Sequence, residues 1–557
     1  MRKATIGLLA VAALAAAAFA QGVQINSSIK DGDILSGIVE VRVIVTADAT
    51  VNQVEFYVNG ELRATDTSTP YTFLLDTIPE KEGPLNLEIA AYTAEGDSER
   101  VRLGLTVDNG LDKGAEYHLK NAQQFLNVAK YDDAIRALRV ALKADENFTP
   151  AKLALGRAYL GKGVLDEAQR WAEEALFAEE SVEAHELLSG IHVNRAFRIT
   201  STKGETGNAL KEIGSAFKAA VAQKHAALDL KLKALGPVTD ENRLQVVDLL
   251  IQKNEYSAAR RHLLVKWDEY NPINAIANRL IFASMRSTRM EEAHAVALAV
   301  QENGAPDVAT LALLAAGHAY FRHWDQAGKA LRDGTFADPD SPILMSSAAF
   351  IAHRRREHGA MLSQINSMIR KNVSAAEMYY YLAVLQWSVG QYTEARDNYR
   401  RAIVQNPLLY DAYVQRGYES LWAAQRAGLD SDPDVAKSKE FLLEQAREYM
   451  EVALAAKPDS PEALNGLAIV YLYQEEFDEA LRIARAAADA GAEYAFTHFT
   501  LGCALSQKQL SIEARKAVDR AGALDTEVLR GFQIPSVDQA WNYTIKHGRL
   551  PVLIAPR

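Results

Sequence analysis

The sequence predicts a chain of two folded parts, a small antiparallel β-sandwich followed by a long α-helical solenoid of paired helices. The hydrophobic period changes from 2 to 3.6 near residue 110, and beyond that point alanine recurs at a constant interval, as at Ala259, Ala293 and Ala327. Length supports the same division, because 557 residues are far more than one hydrophobic core supports. We therefore expect a multidomain protein.

Residues 1–20 have the pattern of a secretory signal peptide. Arg2 and Lys3 give a positively charged start, and no charge follows from Ile6 to Ala20. Ala18-Phe19-Ala20 is a small-residue cleavage sequence. The alternative is an uncleaved membrane anchor, but the apolar stretch is short against the ~20 residues that a bilayer span needs. We therefore predict that this segment is a signal peptide and that the protein is exported.

The cysteine content of the sequence indicates in which compartment the protein is located. Cys503 is the single cysteine of the sequence, so no intramolecular disulfide can form. No cysteine lies near the predicted cleavage point, which argues against a lipid-anchored precursor. An exported protein without disulfides suggests bacterial export. We expect a location in the periplasm, outside the cell or at the surface of a bacterium.

Residues 21–110 have the alternation of half-buried strands. In one example, Val39, Val41, Val43 and Val45 occupy every second position. Turn signals separate such runs, and they stand at Asp31-Gly32, Asn59-Gly60 and Glu95-Gly96. About seven short strands in roughly 90 residues are typical of an antiparallel sandwich.

Several short sequences in this region resemble the bacterial immunoglobulin-like modules of exported proteins. They are Val54-Glu55-Phe56-Tyr57-Val58-Asn59-Gly60, Pro70-Tyr71-Thr72-Phe73 with Asp76-Thr77, and Ala90-Ala91-Tyr92 with Gly96. The sequence departs from the pattern at Leu75, where such modules often carry tryptophan. The resemblance covers residues 21–110 only, and it implies a spacer, docking or adhesive module without chemistry of its own.

A short polar stretch, Asn109-Gly110 with Asp112-Lys113-Gly114, separates the strands from the helices, and we predict a hinge there. Beyond it a repeat of constant length is visible. Nine of the ten positions in its register are alanine, and the ten are Ala134, Ala168, Ala259, Ala293, Ala327, Met361, Ala395, Ala446, Ala480 and Ala514. Glycines take the close-contact position of the first helix, and they are Gly156, Gly190, Gly417 and Gly502. A larger side chain at such positions would push the two helices of a pair apart.

The unit from Ser374 to Pro407 shows the repeat most clearly. Two helical patterns are separated by Val389-Gly390-Gln391, and Pro407 closes the unit. The unit resembles the tetratricopeptide repeat, a helix–turn–helix of about 34 residues. The resemblance implies a superhelical solenoid of about eleven helix pairs over residues 115–528, with insertions near 198–236 and 423–441. Residues 529–557 lose the register, and we predict that they cap the open end, with a helix near 539–547 and an extended stretch at 551–556.

In this repeat class the first helices line a concave groove, so the resemblance implies that a protein or peptide binds there. Aromatic and arginine side chains anchor interfaces because they bury a large area and still offer a polar contact. The predicted groove residues are Arg286, Phe350, Arg354, Tyr380, Trp387, Tyr418, Trp422, Asn465 and Tyr473. The same register also gives Glu116, Gln123, Asn127, Arg157, Asn194, Arg195 and Phe282. The alternative is that several of these aromatic residues pack between neighbouring repeats.

Motifs for catalysis, metal or cofactor binding are incomplete, so we predict no cofactor, no metal site and no enzyme activity. His185-Glu186 begins like a zinc motif, but Ser189 stands where the second histidine belongs. His318 and His323 are five residues apart, which would put them on different faces of a helix. The sequence also has no G-x-S-x-G or Walker loop.

The charge balance disfavours nucleic acid as a partner. The net charge is −11, and loss of Arg2 and Lys3 with the signal peptide would make it −13, whereas phosphate binding needs clustered positive charge. Three hypotheses follow. The first is an exported scaffold that binds a protein or peptide in the groove, with the sandwich as spacer or docking module. The second is an envelope-structural or adhesion protein that binds glycan or wall material through the sandwich, and the third is an enzyme with a scattered site in an insertion.

Overall fold

A computed structural model describes residues 22–371, 373, 375–427, 433–526, 536 and 550–556. For residues 433–438 it describes the backbone only. The predicted signal peptide at 1–20 and the predicted capping helix at 539–547 lie outside the described residues. The chain forms two compact units, Met1–Ala178 and Glu179–Arg557. The first contains the strands and four helices, and the second contains the remaining helices.

The N-terminal region is the predicted β-sandwich. Its strands form a three-stranded sheet in the order β1-β3-β6 and a five-stranded sheet in the order β2-β8-β7-β4-β5. The strands are β1 (Gln24–Ser27), β2 (Ile34–Leu35), β3 (Ile38–Thr46), β4 (Val51–Val58), β5 (Glu61–Asp66), β6 (Tyr71–Asp76), β7 (Gly83–Thr93) and β8 (Ser98–Val107). Val41, Val54, Phe56, Leu87 and Ile89 are fully buried between the sheets. The alternation of the sequence therefore reports the two faces of each strand correctly.

The turn between β4 and β5 follows from its sequence. Asn59 and Gly60 both take positive φ, at 50° and 87°. Two positive-φ residues are what a two-residue hairpin turn of the favoured twist requires, and Asn-Gly is the commonest pair that supplies them. Strand β2 is the strand that the sequence does not reveal, because two residues pairing parallel with β8 are too short to show a period.

The predicted hinge between the sandwich and the helices contains a short turn and a buried asparagine. Leu111–Lys113 form a 3₁₀ turn, and Asn109 is buried. The Asn109 side chain accepts a hydrogen bond from Gly37 N at 2.8 Å and donates one to Thr77 O at 3.1 Å. The stretch thus contains a turn preceded by Asn109, whose side chain bonds to the sandwich, and movement at this point stays a prediction.

Twenty-two α-helices follow in the described residues, in agreement with the predicted solenoid of paired helices. The first unit contains α1 (Ala115–Asn127), α2 (Tyr131–Ala144), α3 (Thr149–Lys162) and α4 (Leu165–Ala178). The second unit begins with α5 (Val182–Lys203), α6 (Gly207–Leu235), α7 (Arg243–Gln252), α8 (Tyr256–Leu264), α9 (Asn274–Arg286), α10 (Met290–Asn303), α11 (Val308–Tyr320), α12 (Trp324–Ala337) and α13 (Pro342–Arg354). It continues with α14 (His358–Arg370), α15 (Ala376–Ser388), α16 (Tyr392–Gln405), α17 (Tyr410–Ala427), α18 (Pro433–Ala456), α19 (Pro461–Tyr473), α20 (Phe477–Ala490), α21 (Ala495–Gln507) and α22 (Ser511–Leu524). No helix in these described ranges is both long and apolar enough to span a bilayer.

The sandwich packs against α2 within the first unit. The Arg139 guanidinium lies 2.6 Å from the Asp76 carboxylate at the end of β6. The Lys143 ammonium donates to the carbonyl oxygens of Pro79 and Glu80 at 2.7 and 3.0 Å. The sandwich is therefore held directly on the first helix pair and is not a free spacer.

The ten register positions all lie on the even-numbered helices, and none is more than 5% exposed. Two of the glycines are needed for close packing. A methyl group at Gly502 would lie 2.7 Å from Val518 Cγ2, and one at Gly417 would lie 2.6 Å from Met450 Cε. The prediction for Gly190 was wrong, because a methyl group there would meet no atom within 4 Å.

The helices of the second unit also touch across large sequence separations. The Lys218 ammonium on α6 lies 2.5 Å from Glu451 on α18. The Asn254 side chain donates to the carbonyls of Leu408 and Ala456 at 2.8 and 3.1 Å. Large aromatic side chains fill the interior that these contacts enclose, and those almost fully buried include Phe350, Tyr381, Tyr399, Tyr410, Tyr413, Tyr494 and Phe499. Where the sequence predicts an open groove, many large side chains of the second unit are buried in its interior.

Candidate functional site

Five of the nine predicted groove residues are buried. Arg286 on α9 is paired with Asp411 on α17 at 2.6 Å, and both side chains are less than 5% exposed. Burial alone would lower the pKa of Arg286, but Asp411, Tyr410 and Tyr256 raise it well above its usual value. The guanidinium therefore stays charged and lies over the Tyr410 ring at 4.6 Å. The other four buried residues are Phe350, Tyr380, Tyr418 and Asn465.

The chain itself occupies part of this interior. We call residues 550–556 the C-terminal segment, and within it Leu550, Val552 and Leu553 are buried. Its backbone is bonded to first helices: Arg286 donates to Pro551 O at 3.2 Å, and Ile554 N donates to Ser346 Oγ at 3.3 Å. Irregular backbone of the chain itself therefore lies against α9 and α13, two of the first helices on which a protein or peptide was predicted to bind.

Glu462 on α19 holds the other end of the C-terminal segment. Its Oε1 accepts a hydrogen bond from Leu550 N at 3.4 Å, and its main-chain oxygen accepts one from the Tyr418 hydroxyl at 2.7 Å. Its Oε2 is buried without a hydrogen-bond partner among the described residues. Burial, together with the nearby Asp411 carboxylate, raises the pKa of Glu462 to about 7.

Arg354 and Tyr473 are half-buried. Arg354 donates to Tyr320 O at 3.3 Å, and its guanidinium lies 5.9 Å from the Tyr320 ring centre. Burial lowers the pKa of Arg354. Tyr473 lies under the Lys439 ammonium, 5.6 Å from the ring centre.

Trp387 and Trp422 are the predicted pair that the structure brings together at an accessible surface. Their ring centres are 5.3 Å apart, and Tyr392, which is 45% exposed, lies 6.4 Å from each. These three rings line a pocket of about 180 Å³, which we call the tryptophan pocket. Arg396 also lines it.

A larger cavity of about 460 Å³ adjoins the tryptophan pocket and shares Arg396, Arg416 and Gln445 with it. Arg416 lines both, and it contacts Glu205 of the cavity at 3.2 Å and Glu419 of the tryptophan pocket at 3.0 Å. Burial would lower the pKa of Arg416, but these carboxylates and Tyr449 raise it well above its usual value. The pocket and cavity together offer aromatic surface beside fixed charge.

The remaining register residues are placed differently. Phe282 is buried, with its ring 6.2 Å from Tyr256, and Arg195 is half-buried. Five polar ones are exposed, four of them on α1 and α3 of the first unit, and the five are Glu116, Gln123, Asn127, Arg157 and Asn194.

A cluster of three histidines is the feature that sequence reasoning missed. His294, His318 and His323 each offer a ring nitrogen, and these nitrogens all lie within 4.8 Å of one another. The argument against His318 and His323 assumed one continuous helix, but α11 ends at Tyr320 and Arg322 takes a left-handed φ of 62°. His323 N then donates to His318 O at 2.8 Å, so the chain turns back on itself. The repeat register marks this turn, and it could have shown that helical spacing does not apply.

Burial lowers the pKa values of two of these histidines. The effect on His318 is the larger, to about 4, and the neighbouring His294 and His323 add to it. The pKa of His294 is lowered for the same reason, with a contribution from His323. His294 Nε2 lies 3.0 Å from His318 Nδ1, and the two rings are edge to face.

Comparison with known proteins agrees with the first of the two resemblances. Residues 23–104 match a family described as Bacterial Ig domain, which confirms the immunoglobulin-like sandwich and covers that domain alone. No curated protein matches the chain. A solved structure titled "Crystal structure of APC/C hetero-tetramer Cut9-Hcn1" shares 12% identity, covers 75% of this chain and 82% of that one, and has a TM-score of 0.38. We infer nothing from a similarity at that score. The evidence for the tetratricopeptide-type fold is the series of helix pairs and the buried register described above.

The chain thus joins a bacterial immunoglobulin-like domain to a tetratricopeptide-type solenoid. This is the architecture of a protein-interaction scaffold, because both folds present surfaces for other proteins and typically carry no chemistry.

Proposed function

We propose that the protein is an exported scaffold that binds a protein or peptide partner through the tryptophan pocket and the adjoining cavity. The observation that carries this proposal is the pairing of Trp387 with Trp422 beside Tyr392 at an open pocket. Partly buried tryptophans on packed helices are characteristic anchors, because they bury further apolar area on binding without first having to be ordered.

The charge around the pocket favours a partner segment with both apolar and acidic groups. The Arg426 guanidinium lies 4.7 Å from the Trp422 ring centre, and Arg396 lines both the pocket and the cavity. An apolar side chain of the partner would fill the space between the rings, and a carboxylate would meet Arg396.

The buried groove residues then have a supporting role. Arg286 and Tyr418 bond to the chain itself, and with Phe350, Tyr380 and Asn465 they hold the first helices around the C-terminal segment. Export is supported by the charge and cleavage pattern of residues 1–20 together with the bacterial immunoglobulin-like match directly after them.

The test is crosslinking in the bacterial host followed by identification of what is captured. We expect the double variant Trp387→Ala/Trp422→Ala to lose the partner that the native protein captures. The matched control is Phe177→Ala/Phe336→Ala, since these two rings are 96% and 94% exposed and lie on α4 and α12, outside the tryptophan pocket. A partner captured equally by the native protein and the tryptophan variant would contradict the proposal.

Two further measurements test the adhesion hypothesis and export. Ile44 and Leu74 are 68% and 66% exposed on the three-stranded sheet, and loss of the partner on changing both to lysine would favour the adhesion hypothesis. Export predicts that the mature protein begins at Gln21, which N-terminal mass spectrometry of the envelope fraction checks. Retention of Met1 in that protein would contradict cleavage.

A further inference from the structure

We propose that His294, His318 and His323 form a binding site for one divalent transition-metal ion of the late first row, with Zn²⁺ as the expected occupant. The three imidazoles come from three consecutive helices. His294 lies in the second turn of α10, His318 in the last turn of α11, and His323 directly before α12. The site is separate from the tryptophan pocket.

The distances suit tetrahedral coordination after a small adjustment. Zinc binds imidazole nitrogen at about 2.0–2.1 Å, so two nitrogens on one tetrahedral ion are roughly 3.4 Å apart. His294 Nε2 and His318 Nδ1 are 3.0 Å apart, and no pair of candidate nitrogens exceeds 4.8 Å. His323 is exposed, so rotation of its side chain can close the longer separation without repacking the interior.

The surrounding structure builds the cluster. Gly317 lies beside the His294 ring, and a methyl group there would be 3.4 Å from His294 Cδ2. The Phe321 ring packs against His294 and His323, with centres 5.4 and 6.1 Å away. The left-handed turn at Arg322 sets His323 back over the end of α11. The site thus has an apolar wall on one side and solvent access at His323.

The donor set selects the class of metal. Imidazole nitrogen suits zinc, copper, nickel and cobalt, whereas calcium and magnesium require oxygen ligands. Three histidines with access to solvent leave a fourth position for water, as in zinc sites with an open coordination position. The nearest carboxylates do not join the cluster among the described residues, so the ion would keep its positive charge.

The alternative is a purely structural arrangement, in which His294 and His318 share one hydrogen bond and the rings of His294 and His323 pack on Phe321. That arrangement uses His323 only as a ring packed on Phe321, and it binds no metal through its nitrogens. The two explanations therefore differ in what removal of His323 does.

The test uses the full-length mature protein, freed of metal with a chelator and titrated with Zn²⁺ by calorimetry. We expect one equivalent to bind and to raise Tm by a few degrees, since a ligand that binds only the folded state stabilises it. Co²⁺ in the same site should show the visible absorption of a tetrahedral ion. His323→Ala, an exposed change, should weaken Zn²⁺ binding by about 10-fold or more, because the loss of even an outer-sphere partner costs that much.

His358→Ala is the matched control, since His358 is an exposed histidine on α14 outside the cluster, and it should bind Zn²⁺ as the native protein does. His294→Gln/His318→Gln should abolish binding, and circular dichroism would verify that this variant is folded. The proposal is overturned if the native protein binds no equivalent of Zn²⁺, or if His323→Ala binds it unchanged.

Discussion

At the scale of single residues, the interior of the second unit depends on a few buried charges that compensate one another. Arg286 is held by Asp411, and both are adjacent to Glu462 and Lys457 in the same apolar surroundings. A buried charge without its partner is costly, whereas a satisfied pair fixes the position of the helices that carry it. Glu462 is the member of this group with the poorest compensation, because Oε2 has no hydrogen-bond partner in the described part of the chain.

Glu462 should make stability depend on pH. Its pKa is about 7 in the folded protein against an ordinary value of 4.5, so between these values the folded chain binds more protons than the unfolded chain. The free energy of unfolding is therefore highest below the ordinary value and falls as the pH rises through 7. Burial also raises the pKa values of Glu377 and Glu419, so we expect Glu462→Gln to reduce this decline and to be more stable at pH 8 by on the order of a few kcal/mol.

Urea unfolding of the native protein and the variant at pH 5.5 and at pH 8 measures this effect. Glu302→Gln is the control, because Glu302 is exposed and should leave the decline in place. Equal pH dependence in the native protein and in Glu462→Gln would show that another group titrates.

At the scale of elements, nine of the helix pairs turn at a residue with left-handed backbone at the same position of the repeat. Nine residues with positive φ precede a register position by five, and they are Ala129, Gly163, Asn254, Thr288, Arg322, Arg356, Gly390, Glu475 and Gln509. Seven of the nine are not glycine, although only glycine adopts this conformation without cost. The packing of the two helices therefore determines the left-handed conformation of the turn residue, and the type of residue at that position does not.

Gly390 and Gly190 separate this backbone effect from packing. Neither glycine has an atom within 4 Å of an added methyl group, but Gly390 has φ of 84° and Gly190 lies inside α5. We expect Gly390→Ala to lower the free energy of unfolding by about 1 kcal/mol through strain. Gly190→Ala should raise it by up to about 1 kcal/mol, because alanine has the higher helix propensity. Thermal unfolding of both variants checks the opposite signs, and a loss of stability in both would refute the distinction.

Much at this scale could be predicted from the sequence. The sandwich and the helix pairs follow from periodicity, and the register of Ala395 and its equivalents locates a buried position in each pair except α5 with α6. The junction at Asn109 could not be predicted, because its partners Gly37 and Thr77 are distant in sequence. The histidine cluster could not be predicted for a related reason, since His294 lies near the other two histidines only because α10 packs on α11.

At the scale of the whole second unit, register placed aromatic residues on the first helices but could not tell which of them face solvent. Tyr380 and Trp387 are equally aromatic, yet one is buried and the other lines a pocket. The difference depends on which helices lie next to one another in space. Contacts between helices distant in sequence, such as that of Arg286 with Asp411, fix this arrangement. The position of the C-terminal segment could not be predicted either, because residues 550–556 have no helical or strand pattern.

The C-terminal segment should be replaceable by a peptide. Deletion of residues 550–557 removes the buried side chains of Leu550, Val552 and Leu553, so we expect a lower Tm and increased binding of a hydrophobic dye. A synthetic peptide of residues 550–557 should restore stability, by about 2.7 kcal/mol at a concentration 100 times its Kd. Differential scanning fluorimetry with and without the peptide measures this rescue.

The control peptide carries aspartate in place of Val552 and Leu553, and it should give no rescue because it would bury unpaired charge. The full-length protein should not respond to either peptide, since its own segment occupies the position. A deletion variant that matches the intact protein in Tm, or that ignores the native peptide, would contradict this account.

The bond from Arg286 to Asp411 spans 125 residues, and that from Asn254 to Ala456 spans 202. A helical array with contacts only between neighbours can fray from its end, one pair at a time. Links between early and late pairs forbid such peeling, because loosening one edge also breaks bonds at the other. Early and late helix pairs of the second unit are therefore linked directly. We expect this unit to unfold cooperatively, as a globular domain does, and not one helix pair at a time.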